Sequence, residues 1–97
     1  MSVTLKQIMD RCITAEKTTD WLFTVRTTID SNTHNKIYVI EQWFESSNPE
    51  KLGEYMKANT RKFNSNDFSE KHVRKMLLSM AGKGELLEEA MYALDHM

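Results

Sequence analysis

The chain has 97 residues and a mass of 11.4 kDa, which makes one domain with one modest core and leaves no room for a second. A composition of 40% hydrophobic and 28% charged residues, with three Gly and one Pro, excludes a disordered or collagen-like chain. The net charge of −1 hides a polarised distribution: residues 1 to 35 balance, residues 36 to 83 carry nine Lys or Arg against six acids, and residues 84 to 97 carry four acids and no Lys or Arg.

In chain order, Leu5, Ile8, Met9, Cys12 and Ile13 recur at helical spacing and predict a first helix from about Thr4 to Ala15. Its lone thiol, Cys12, has no partner for an internal disulfide and reads as a small buried hydrophobe. The N-terminal residues lack the apolar stretch of a secretory signal, and the longest apolar run, Ile37 to Ile40, is far short of a membrane span, so a cytoplasmic protein is expected. Thr18, Thr19 and Asp20 offer caps for a second helix carrying Trp21, Leu22, Val25 and Ile29, and Ile37, Ile40, Trp43 and Phe44 keep helical spacing beyond it. The alternative here is an α+β fold with a hairpin within 21 to 44, because FTVRTTI and KIYVI are rich in β-branched residues on either side of the polar loop SNTHN.

Asn48-Pro49 predicts a helix beginning at Pro49, since Asn caps and Pro at the first helical position gives up only an amide that is unpaired there anyway. It would present Leu52, Tyr55 and Met56 inward and run to about Asn59, followed by a loop, TRKFNSN, pinned by Phe63. Asp67 with Glu70 three positions on forms a capping-box start for a helix at about 68 to 81, which Gly82 ends. Ser69, Val73, Met76, Leu77 and Met80 share its inner arc, while Lys71, Arg74, Lys75 and Leu78 lie opposite. Leu86, Leu87, Ala90, Met91 and Leu94 give a last, acidic helix. The fold expected is therefore mostly α, a single domain of about five helices: 1–47 for packing and dimerisation, 48–83 as a helix pair, and 84–97 as the acidic end.

No catalytic constellation is visible. His34, His72 and His96 stand apart with no ligand at metal spacing, and Gly82-Lys83-Gly84 lacks the upstream Gly and the Ser or Thr of a phosphate loop. No enzyme activity, metal or cofactor is expected. Most of the seven Met, together with Trp21, Trp43 and Phe44, fall on predicted apolar faces and read as core. The basic stretch remains. Between Lys57 and Lys75 there are six cations against Asp67 and Glu70, with Lys71, Arg74 and Lys75 near the start of a short helix and Arg61 and Lys62 in the segment before it.

On these residues, Pro49 to Leu87 resembles a helix-turn-helix module of the winged-helix type: PEKLGEYM is similar to the supporting helix, FSEKHVRKMLLSM to the recognition helix and KGEL to the start of the wing. The resemblance implies a small, homodimeric DNA-binding regulator that pairs through its N-terminal helices and contacts duplex DNA with Arg61, Lys62, Lys71, Arg74 and Lys75. The rival expectation is a non-enzymatic protein-interaction module, an adaptor or inhibitor, that offers Lys71, Lys75 and the apolar Leu78 to another protein.

Overall fold

The computed structural model describes residues 2–96, and side chains from Val3 onward. Its centre is a curled antiparallel sheet of five strands in the order β1-β5-β4-β3-β2, where β1 is Ser2–Thr4, β2 Thr14–Lys17, β3 Leu22–Ile29, β4 Lys36–Glu45 and β5 Glu54–Asn64. Three helices accompany it: α1, Leu5–Met9; α2, Glu70–Lys83; and α3, Leu87–Asp95. The mostly helical expectation is overturned, and the cause is local. LFTVRTTI and KIYVIEQWFE are mostly β-branched and aromatic, and such side chains fit a pleated surface better than a helical turn, where their χ1 freedom is lost.

β3 and β4 pair from Leu22↔Trp43 to Ile29↔Lys36. The turn between them is held by Asp30, whose carboxylate accepts the amides of Asn32 at 2.8 Å and Thr33 at 3.3 Å, while His34 takes the left-handed conformation at φ 59. The signal at Asn48-Pro49 is used, but for one turn only. Asn48 accepts the Glu50 amide at 3.0 Å over a 3-10 turn, Pro49–Lys51, and Gly53 at φ 85 then reverses the chain into β5. The helix expected to Asn59 and the loop expected after it are one extended strand of 11 residues.

The first helix is likewise shorter than its periodicity predicts. Thr4 and Gln7 form a reciprocal capping box, but α1 stops after five residues, and Ile13 already donates its amide to Val25 at 2.6 Å as β2 begins. Since β1 and β2 lie toward opposite edges of the sheet, α1 crosses one face, where buried Ile8 packs with Leu22, Trp43 and Tyr55. The N-terminal helix through which pairing was expected is thus committed to its own sheet.

The other face carries the larger core. Phe23, Val25, Tyr38, Ile40 and Phe63 of the sheet meet Val73, Met76, Leu77 and Met80 of α2 and Leu87, Ala90 and Met91 of α3. The inner arc of α2 is the one its spacing predicts, but each of its ends moves by two residues. Ser69, not Asp67, caps it by accepting the His72 amide at 3.2 Å, and Gly84, not Gly82, closes it at φ 65. No helix among the described residues is long and apolar enough to cross a membrane.

Leu77 is 0% exposed at the centre of this layer, whereas Lys75 is exposed. Leu77→Ala is expected to cost about 2–5 kcal/mol in chemical denaturation and Lys75→Ala about 0–0.5 kcal/mol. Equal losses in the two variants would contradict the packing of α2 on the sheet.

Candidate functional site

Two concavities follow from this architecture, one on each face, and both are built on β5. The first is a groove between β5 and α3. β1 pairs only with Glu54, Tyr55 and Met56, so from Lys57 to Asn64 the outer edge of β5 has no strand beside it among the described residues. The Ser65 amide donates to Lys36 at 3.1 Å, and alternation along an antiparallel ladder then turns the main chains of Phe63, Arg61 and Asn59 toward β4. The main-chain groups of Lys62 and Thr60 face outward, whereas the Asn64 carbonyl is taken by the amides of Asp67 at 3.0 Å and Phe68 at 3.1 Å. Alongside runs one face of α3, Leu87, Glu88, Met91, Tyr92 and Asp95, enclosing about 300 Å³ with Asn59, Thr60 and Arg61. Tyr92 is 66% exposed there and stacks on His96 with ring centroids 4.0 Å apart.

Gln42 sets the depth of this groove. Fully buried on the helix face of β4, it accepts the Leu87 amide at 3.1 Å and so caps α3, whose N-terminus has no side-chain cap of its own. The Asn59 amide lies 2.7 Å from the same oxygen. Turned over, the Asn59 amide nitrogen instead reaches Glu88 at 3.0 Å and the Ala58 carbonyl at 3.1 Å. The first orientation ties β5 to β4 through Gln42, the second ties β5 to α3 through Glu88.

The second concavity is a cleft of about 360 Å³ on the face that α1 crosses, and it is polar. Glu41, with its side chain only 4% exposed, receives Arg26 Nε at 2.6 Å and Lys57 Nζ at 3.0 Å. Trp43 donates its indole N–H to Thr24 at 3.0 Å in the cleft wall, and Arg11 and Cys12 close the cleft from the segment after α1. A buried carboxylate with two cationic partners satisfies the rule that interior charges be paired. Further along the same face the Tyr55 hydroxyl, and then the charge of Glu45, raise the pKa of Lys17 above the ordinary ammonium value.

The residues expected to read DNA are not brought onto one surface. Lys71, Arg74 and Lys75 do share the outer side of α2, with Leu78 54% exposed beside them and Arg74 paired to Glu70 at 3.4 Å. Arg61 and Lys62, however, are neighbours in a strand and point to opposite faces. Arg61 meets Asp95 of α3 at 3.3 Å, and the whole sheet lies between Lys62 and α2. The helix-turn-helix pair is not formed among the described residues, since the segment expected as its supporting helix is a 3-10 turn, a reversal at Gly53 and the start of β5. Sequence reasoning passed over Gln42, Glu41, Arg26 and Arg11; only the hairpin register, which places Thr24 opposite Glu41 and Arg26 opposite Val39, brings Glu41 and Arg26 together on one face and sends Gln42 to the other. Among the described residues no three His, Cys, Asp or Glu side chains converge as a metal site would require.

Burial pushes the Cys12 thiol above its ordinary pKa; a backbone hydrogen bond opposes this, and the Glu41 charge adds to it. The thiolate is disfavoured in the fold. Stability linked to Cys12 is therefore complete below the ordinary thiol range and is lost as pH rises through the higher folded value. Disulfide-reagent labelling of the native protein at pH 7.5 is expected to be slower than labelling of the urea-unfolded chain by about tenfold or more, and Glu41→Gln should narrow that gap. Equal native and unfolded rates would remove the assignment.

Compared with protein-family models, with curated proteins and with solved structures, the chain matches none, so its function is read from the two concavities themselves.

Proposed function

We propose that the chain is a non-enzymatic protein-interaction module that takes an extended segment of a partner protein onto the outer edge of β5. The observation that carries this reading is the mismatch between β5, with 11 residues, and β1, which covers three of them next to a groove lined by α3. Unpaired strand edges are templates for a further strand, and a helix beside the edge gives alternate side chains of that strand a pocket. The geometry supplies both. Main-chain donors and acceptors of Thr60 and Lys62 face outward, and Leu87, Met91 and Tyr92 offer an apolar wall.

Charge selects the occupant. From Lys57 to Asn64 the edge carries Lys57, Arg61 and Lys62 and no acid, so a second copy laid along it would set like charges against each other. A segment alternating apolar residues, for the α3 groove, with acidic ones, opposite Lys62, meets complementary groups on both faces. This partner class replaces the one expected from the sequence, in which Lys71, Lys75 and Leu78 formed the contact. The DNA-reading alternative rested on a helix pair at 49 to 81, and with Glu54–Asn64 extended that support is gone.

Lys62→Pro tests the edge directly, because the amide it removes points away from β4 and carries no ladder bond there. Random peptides displayed on phage and selected on the protein are expected to be enriched in alternating acidic and apolar residues. The selected peptides should lose binding to Lys62→Pro by about a hundredfold and to Lys62→Glu by about tenfold, while the melting temperature stays close to that of the parent. Selected peptides that bind Lys62→Pro as well as the parent would refute the edge as the docking site.

A further inference from the structure

The cleft on the opposite face holds more positive charge than the fold uses. Arg11, Arg26 and Lys57 line it together with a single carboxylate, Glu41, which leaves an excess of two positive charges. Glu41 engages one N–H of Arg26 and one of Lys57, and Arg11 gives its Nε–H to the Gln7 carbonyl at 3.1 Å. A guanidinium has five N–H groups and an ammonium three, so most donors of all three side chains remain uncommitted among the described residues. Arg26 and Lys57 are, moreover, fixed before any ligand arrives, because the carboxylate that fixes them is buried. Preorganisation of this kind lowers the entropic cost of binding.

We propose that this cleft binds a small phosphate monoester, with Arg11, Arg26 and Lys57 holding the phosphate and the hollow beside Trp43 taking the organic group. The charge matches: a phosphate monoester carries about −1.5 to −2 at pH 7 and presents three acceptor oxygens. So does the size. A volume of about 360 Å³ corresponds to roughly a dozen waters, more than inorganic phosphate fills. A second hollow of about 340 Å³ continues past Trp43, sharing Arg11 and Lys57 and walled by Val3 and Met56, so an apolar substituent has a place adjoining the cations. The proposal is independent of the β5 edge, and neither stands or falls with the other.

The Trp43 indole N–H, bonded to Thr24 in the cleft wall, is a built-in reporter, and Trp21, which packs edge-on to Phe44 elsewhere, is its internal control. Titration of the full chain with phenyl phosphate at fixed ionic strength is expected to shift the Trp43 resonance and not that of Trp21, with inorganic phosphate binding more weakly. Arg11 is exposed, so Arg11→Ala should leave the fold and melting temperature intact while weakening phenyl phosphate by about tenfold or more. Lys62→Ala, which removes a cation from the same face outside the cleft, should change binding by less than about twofold. Three results would overturn the assignment: no shift at about 10 mM probe, equal weakening by Lys62→Ala and Arg11→Ala, which would mean diffuse attraction, or tighter binding of benzoate than of phenyl phosphate, which would mean a carboxylate site.

Discussion

Two adjacent polar residues at the middle of β4 hold this fold together. Glu41 and Gln42 are 3% and 0% exposed, point to opposite faces of the central strand, and sit beside the irregularity in register between Gln42 and Trp43. Burying a polar group without a partner costs more than the partner's bond returns, so each position demands a companion from another element. Glu41 draws Arg26 from β3 and Lys57 from β5; Gln42 draws Asn59 from β5 and the first amide of α3. Apolar contacts tolerate sliding, but these bonds do not. They fix which residues of β3 and β5 flank β4 and where α3 begins, and so fix the dimensions of both concavities.

The same strand shows why the sequence is only partly legible. β4 is buried on both faces, so IYVIEQWF has no alternation of apolar and polar residues, and a continuous run fits a buried helix as readily as a central strand. β-branching was the discriminating signal, since it reflects backbone preference where periodicity reflects only exposure. β5 conceals itself for the opposite reason. In EYMKANTRKFN only Tyr55 and Phe63 are buried, eight positions apart, and the residues between them are mostly exposed because the outer edge faces solvent. An edge strand without a buried stripe reads as a helix end followed by a loop. α2 was legible because it has one wet face and one dry one, the condition under which a 3.6-residue period is written into the sequence.

The candidate sites were less legible than the fold. Arg61 and Lys62 are adjacent cations in the sequence, but a strand sends adjacent side chains to opposite faces, and a list of charges along the chain does not contain that division. The acidic end of the chain has a structural role: Asp95 of α3 pairs with Arg61 of β5 across the groove. As an exposed pair it adds little stability. What it contributes is position, because it holds one of the three edge cations, Arg61, against the groove, while Lys57 and Lys62 lie on the far face.

The N-terminal segment determines which surfaces remain open. β1 joins β5 at Glu54 to Met56, β2 joins β3 along Thr14 to Lys17, and α1 spans the face between them, so a short stretch of chain reaches toward both edges of the sheet. Had α1 run on to Ala15, Arg11 and Cys12 would be helical and β2 would lack its first residues. The capping box at Thr4 starts the helix, and the Ile13 amide, drawn into the ladder by Val25, ends it. The stopping point of one short helix thereby leaves Arg11 over the cleft, while β1, which pairs only with Glu54 to Met56, leaves the outer edge of β5 from Lys57 onward without a strand among the described residues.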